Sequence, residues 1–266
     1  MSYFFFCYNA YLFLFFHLRR SILTTLLSRV ENYWNKRAHD FNTIRRNELQ
    51  SEISQRWLNV FHQYLPTNKT LKILDIGTGT GYFAILLSKE GHDVTGIDLT
   101  EAMVKEAEAT AHDYNISPTF IQMDAQATSF ANDSFDVIVT RNLTWTLPDP
   151  QTAYIEWYRI LKNGGILLNF DADYANNIRN HHQKESYISS SDVYGHLGIT
   201  SELEKENDDI TLSMPCSMHH RPEWDIELIK KSGFAEYFTD KDLGKKVLRE
   251  HDLTDAPLFL IYAKKS

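Results

Sequence analysis

Cysteine is nearly absent, with only Cys7 and Cys216 in 266 residues. Two thiols cannot build a disulfide framework or, unaided, a structural zinc site, so a reducing compartment is expected and the cytoplasm is the natural location. Excess positive charge is missing too. Lys and Arg number 27 against 35 Asp and Glu, a net charge of −8, so nothing draws the chain to a phosphate backbone and nucleic acid is not an expected partner. Internal repeats and long low-complexity tracts are also missing. The apolar run Tyr3 to Phe16, broken only by Asn9, is shorter than the ~20 residues that cross a bilayer as a helix. Glycine is scarce, at 11 residues. Three of those glycines nevertheless crowd together at Gly77, Gly79 and Gly81.

With 43% hydrophobic residues, the chain can bury one sizeable core, most simply as one α/β domain with additions. Apolar side chains from Asn47 to Leu65 recur at three- and four-residue steps, which predicts one amphipathic helix ended by Pro66. Strands and helices then alternate. Strands are expected at Leu71 to Asp75, Asp93 to Ile97, Thr119 to Met123, Phe135 to Thr140 and, after a Gly164-Gly165 turn, Ile166 to Phe170. Helices are expected at Tyr82 to Glu90, Glu101 to about Tyr114 and Pro150 to Leu161. Such βαβ succession predicts a doubly wound, mostly parallel sheet with helices on both faces and a ligand crevice at the carboxyl ends of the strands. From about Asp171 to Pro222 the rhythm fails amid charge, histidine and serine. That stretch reads as an irregular cap insertion after the fifth strand, over the site's mouth. A helix at Pro222 to Lys231 and strands near Phe234 to Thr239 and Leu258 to Ala263 close the pattern.

The glycines lie where the first strand meets a helix, in Leu74-Asp75-Ile76-Gly77-Thr78-Gly79-Thr80-Gly81. Without Cβ atoms such a turn bends tightly and lets a ligand approach its backbone. Its spacing decides the ligand. The dinucleotide fingerprint Gly-x-Gly-x-x-Gly would need a glycine where Tyr82 stands, so a nicotinamide oxidoreductase is disfavoured. The alternation, with Asp75 just before it, resembles the first motif of class I S-adenosylmethionine (SAM)-dependent methyltransferases.

That resemblance covers roughly Glu31 to Ala263 and includes the opening Glu31-Asn32-Tyr33-Trp34-Asn35-Lys36-Arg37-Ala38-His39-Asp40-Phe41. It is nearest to the broad type 11 group that includes methyltransferases of quinone biosynthesis, although the insertion gives no specific match to those. It implies a SAM site made by Asp75, Gly77, Thr78, Gly79 and Gly81, with Asp98 accepting the ribose hydroxyls and Leu99 and Met103 lining the adenine pocket. Asp124 would accept from the adenine amino group and the Ala125 amide would address the ring. Arg141 and Asn142, after the fourth strand, fall where the family contacts the methionine portion and faces the methyl group.

The expected reaction is methyl transfer to a small-molecule acceptor, which requires alignment and at most a proton acceptor. Asp173, His181 and His182 are the candidates for that base, and Asp171 and Asp173 could equally order their loop. A SAM-binding sensor without acceptor chemistry is the other reading. Residues 1–30 are set apart as an apolar extension, either a membrane anchor, the one expected membrane contact, or an over-extended gene start ahead of Val30. Residues 31–266 form the methyltransferase domain. No resident metal is expected, because adjacent pairs such as His219-His220 point apart.

Overall fold

Apolar segments of five to seven residues, separated by helices, are too short to bury themselves except as neighbours in one sheet, and they do so here. The computed structural model describes residues 2–66, 68–182, 198–248 and 257–266. Seven strands pair in the order β3-β2-β1-β4-β5-β7-β6. They are β1 (Lys72–Ile76), β2 (Asp93–Asp98), β3 (Thr119–Gln122), β4 (Phe135–Arg141), β5 (Leu161–Asp171), β6 (Glu236–Asp240) and β7 (Phe259–Lys264). The first five are mutually parallel, and β7 enters antiparallel between β5 and β6. The chain winds outward to β3 on one side of β1 and to β4 and β5 on the other. The crevice expected at that reversal therefore lies beyond the carboxyl ends of β1 and β4.

The helices are α1 (Ser2–Leu49), α2 (Glu52–Tyr64), α3 (Tyr82–Lys89), α4 (Glu101–Asp113), α5 (Pro150–Ile160), α6 (Tyr174–His182), α7 (Ser201–Ser213), α8 (Glu223–Lys231) and α9 (Leu243–Val247). One sheet face packs on an aromatic cluster in which Trp57 of α2 meets Phe83 at 4.8 Å and Phe170 at 5.1 Å, ring centre to ring centre. The other face carries Tyr154 and Trp157 of α5, packed with Leu228 and Ile229 of α8. Both layers are continuous with strands buried on both sides, as a parallel sheet demands.

Three expectations change. The single helix over Asn47 to Leu65 is two, because Ser51 takes an extended conformation and its hydroxyl caps α2 by accepting the Ile53 amide. The apolar periodicity runs through that break, so periodicity alone could not reveal it. The Gly164-Gly165 turn lies inside β5, whose register slips between Phe135↔Leu161 and Val137↔Ile166. There the Gly164 amide donates to the Lys265 carbonyl at 2.8 Å, which keeps the bulged segment paired. The insertion is largely helical wherever it is described. The acidic run from Ser201 to Asp209 lies on α7, where the Thr200 hydroxyl accepts the Leu203 amide and Ile210 is buried.

α1 runs unbroken across positions 30 and 31. It is held to α7 by a two-bond pair from Arg29 to Glu206 (3.0 and 2.9 Å) and to α4 by Asn42 to Glu106 and Arg46 to Asp113. Among the described residues no helix is long and apolar enough to cross a membrane. At its other end Glu48 is buried between Arg141 (2.9 Å) and Arg45 (2.5 Å). Burial alone would raise the Glu48 carboxyl, but the two guanidiniums overcome it and hold the group at about 2, against an ordinary 4.5. A carboxyl lowered on folding contributes stability above pH 4.5 that is lost as pH falls toward 2, here ~3 kcal/mol. Glu48→Gln should therefore flatten the acid limb of the stability profile between those two values. Denaturant melts at stepped pH would check this, and superimposable slopes for parent and variant would refute it.

Candidate cofactor site

Three segments that are distant in sequence meet at the carboxyl ends of β1, β2 and β3. The Thr78 amide donates to the Ile97 carbonyl at 2.9 Å and the Gly79 amide donates to Asp98 Oδ2 at 2.9 Å. The Met123 amide donates to the Asp98 carbonyl at 2.8 Å. These bonds stitch the glycine turn, Asp98-Leu99 and Asp124-Ala125 into one rim. Gly77, Gly79 and Gly81 all have positive φ, at 66°, 54° and 86°, a region that other residues enter at a cost.

Their surroundings differ in a way that locates the ligand side. A Cβ on Gly77 would come within 2.8 Å of Leu143, and one on Gly81 within 3.0 Å of Phe120. A Cβ on Gly79 would meet, among the described residues other than its chain neighbours, just Phe41 Cε1 within 4 Å, at 3.5 Å. The middle glycine thus faces open space roofed by α1. Its bare backbone makes a cradle that a side chain would fill.

Asp75 closes the turn from below. Its Oδ2 accepts the Thr78 hydroxyl at 2.6 Å and the Ala84 amide at 3.0 Å. Burial pushes its carboxyl up to about 7, those two bonds and the Arg141 charge opposing the rise and nearby Asp98 adding to it. Asp98 is also raised by burial, with the Thr100 and Gly79 amides pulling the other way. Each Asp98 oxygen accepts one backbone amide. Since a carboxylate offers about four acceptor sites, two remain for a paired donor. Met103 is buried beside this rim, and the Ala125 carbonyl is held by the Trp157 indole at 2.9 Å. Asp124 uses Oδ1 to accept the Gln126 amide at 2.8 Å.

The other candidates sit elsewhere or differently. The Arg141 guanidinium is buried against Glu48 and lies over the Trp57 and Tyr82 rings at 4.9 and 5.0 Å. It anchors α1 to the end of β4. Asp173 caps α6 through the Asn176 amide (3.2 Å) and accepts the Arg221 amide (3.3 Å), so the structure gives it a loop-ordering role. His181 and His182 end α6, and their side chains lie outside the described residues. Burial pushes the Cys216 thiol up to about 12, and the His219 ring stacks on Trp224 at 4.6 Å.

Sequence reasoning missed Glu48 and Arg221. Their partners lie 93 residues away at Arg141 and 50 residues away at Asp171, and no local pattern marks such pairs. Phe41 was visible in the amino-terminal motif, but its seat over Gly79 was not.

A seven-stranded sheet with one antiparallel strand next to its edge, a glycine cradle after β1 and acids after β2 and β3 define the Rossmann-like fold of class I SAM-dependent methyltransferases. The family model described as "Methyltransferase domain" matches residues 74–169, the stretch that runs from β1 into β5. A ubiquinone biosynthesis O-methyltransferase from Psychrobacter arcticus is 28% identical over 147 residues, 51% of this chain and 57% of that protein. The match thus spans little more than half the length of that curated relative. Among solved structures, the PH0226 protein of Pyrococcus horikoshii aligns with a TM-score of 0.56 at 18% identity, over 83% of this chain and 91% of that one. Phosphoethanolamine N-methyltransferase 2 of Haemonchus contortus, bound to phosphomonomethylethanolamine and S-adenosylhomocysteine, aligns with a TM-score of 0.54 at 19% identity. That alignment covers 79% of this chain and 52% of that one.

Proposed function

We infer that this chain is a methyltransferase that takes its methyl group from SAM and gives it to a small-molecule acceptor. The observation that carries the reading is the stitching of the glycine cradle to Asp98 and of Asp98 to the segment bearing Asp124. In this reading Asp98 holds the ribose hydroxyls with its remaining acceptor sites. Leu99 and Met103 flank the adenine, and Asp124 with Ala125 addresses its polar edge. Gly77, Thr78 and Gly79 present backbone to the methionine end, where Asp75 supplies the negative charge that a cationic ligand favours and a pyrophosphate would not. SAM supplies a methyl group already activated on a sulfonium, so the protein's task is to align the acceptor and exclude water. The α1 roof at Phe41 and the helical insertion would provide that exclusion.

Calorimetry with SAM, S-adenosylhomocysteine and NAD, followed by labelled methyl transfer into amines, phenols, thiols and carboxylates, tests the reading. SAM binding with transfer to one acceptor class is expected. Binding of NAD in place of SAM would overturn it, and SAM binding with no transfer to any class would leave the sensor. A pH dependence follows from Asp75. Protonated Asp75 lacks the charge that attracts a cation, so SAM affinity should rise with pH through about 7, by up to about tenfold between pH 6 and 8 if only the ionised form binds. Asp75→Asn should bind SAM weakly with a flat profile. Calorimetric titrations at four pH values would decide, and an affinity that falls on raising the pH would contradict the role given to Asp75.

A further inference from the structure

The amino end of β5 carries a reactive pair of residues. Asn163-Gly164 is the one Asn-Gly dipeptide in the chain, and it falls in the bulge where the register between β4 and β5 slips. Both residues are exposed, and the Asn163 carboxamide makes no hydrogen bond among the described residues. Gly164 stands at φ +75°, and a Cβ there would meet nothing within 4 Å among the described residues other than its chain neighbours. No side chain of its own stiffens this position or covers its backbone nitrogen. That nitrogen is the nucleophile nearest to the Asn163 amide carbon.

One tie restrains it. The Gly164 amide donates to the Lys265 carbonyl at 2.8 Å, and the Lys265 amide returns a bond to the Gly165 carbonyl at 2.9 Å. While its hydrogen is held in this ladder, the Gly164 nitrogen keeps its proton and its plane and cannot turn onto the side chain before it. Lys265, the residue after β7, is fastened in turn. Its Nζ donates to Asp133 at 2.8 Å and to the Leu161 carbonyl at 2.7 Å. An exposed, chemically labile pair is thus latched by one residue more than a hundred positions away.

We propose that Asn163 is a self-modification site, converted to aspartate and isoaspartate through a cyclic imide, and that Lys265 gates the reaction. When the ladder opens, the Gly164 nitrogen gives its proton to hydroxide and attacks Asn163 Cγ. The new N–C bond forms as the Cγ–NH2 bond breaks, and the departing nitrogen takes a proton from water and leaves as ammonia. Water then opens the imide at either carbonyl. Attack at one carbonyl gives aspartate and attack at the other gives isoaspartate, so water and hydroxide are the only co-reactants. Both products place a carboxylate at position 163. Isoaspartate also routes the main chain through the side chain, which adds a methylene inside the bulge and prevents the two bonds to Lys265 from re-forming together. The damage is local to this end of the sheet, because the cofactor rim lies at the carboxyl ends of the strands.

The full chain, held at pH 8 and sampled over time by peptide mapping that separates asparagine, aspartate and isoaspartate, tests this. Unfolded in urea, the parent should lose ammonia from Asn163 faster than from any other asparagine, with isoaspartate in excess of aspartate. Folded, Asn163 should react ~100-fold more slowly, since only the locally opened form is competent. Lys265→Ala should speed the folded reaction ~10-fold, because losing a hydrogen bond from a charged group raises the open fraction by about that factor. In urea it should match the parent. Asp133→Asn removes one exposed partner of Lys265 and should give a smaller increase, which keeps the test intact if Lys265→Ala does not fold. Asn163→Gln should abolish the signal with an unchanged melting midpoint, and parent chain carrying isoaspartate should melt below fresh chain. Equal folded and unfolded rates in the parent, or folded rates unchanged in both latch variants, overturn the gate. Aspartate without isoaspartate overturns the imide route, and another asparagine reacting first in urea overturns the site.

Discussion

Asp98→Ala is expected to weaken S-adenosylhomocysteine binding by about 100-fold or more, measured by calorimetry. Two charge-assisted bonds to ribose hydroxyls are worth about 1.5–3 kcal/mol each, and 1.4 kcal/mol is tenfold. The structure adds a second cost. Asp98 Oδ2 also holds the Gly79 amide and Oδ1 the Thr100 amide, both at 2.9 Å, so alanine releases the cradle and the first turn of α4 together. Asp98→Asn separates the two contributions. Its NH2 group must face either the Gly79 or the Thr100 amide, donor against donor, while the other oxygen still accepts. The asparagine variant should therefore keep the fold, bind more weakly than the parent and more tightly than alanine. Parent-like affinity in Asp98→Ala would remove Asp98 from the site.

Most of the rim at the carboxyl ends of β1, β2 and β3 was legible because its parts are local. A glycine turn, an acid at the end of β2 and an acid after β3 each sit at a predictable distance from an apolar strand, and β1 to β5 fell within two residues of expectation at all but one end. That end is the start of β5. Leu161 to Gly165 carries the punctuation of a turn, yet Leu161 pairs with Phe135 and Lys265 holds the glycines. The insertion was illegible for a different reason. α7 buries only Ile210 and Thr211 fully, too few apolar positions for a helical period, and its place is set by partners on α1 such as Arg29. Arg141 shows the limit most clearly. Its position after β4 pointed to the cofactor, whereas Glu48 and the Trp57 and Tyr82 rings claim its charge. Sequence position located the residue and said nothing of where its side chain turns.

The largest stability effect is expected at Arg221. Its guanidinium is buried among Asp225 (2.8 Å through both Nε and Nη2), Asp171 (3.3 Å), the Ala172 carbonyl (3.1 Å) and the Thr144 hydroxyl (2.5 Å). Asp225 also accepts from the Tyr154 hydroxyl at 2.9 Å, and Asp171 from the Trp145 amide at 3.1 Å. Arg221→Met leaves two carboxylates buried without a counter-charge, a change that costs about 3–5 kcal/mol. For a chain of this size that is a fall of roughly 10 °C in melting temperature. Lysine should not rescue it, since one ammonium cannot span a bidentate carboxylate, a carbonyl and a hydroxyl together. The loss should shrink in acid. Burial already pushes the Asp171 carboxyl up, and without Arg221 it rises further, so folding takes up a proton and the variant gains stability relative to the parent as pH falls. Replacing Asp171 and Asp225 by asparagine in the Arg221→Met background should recover much of the midpoint. Differential scanning calorimetry at pH 5 and 8 would read both effects. A variant that melts with the parent at pH 8 would mean that these charges are solvated and that the insertion is not fastened to β5 through Arg221.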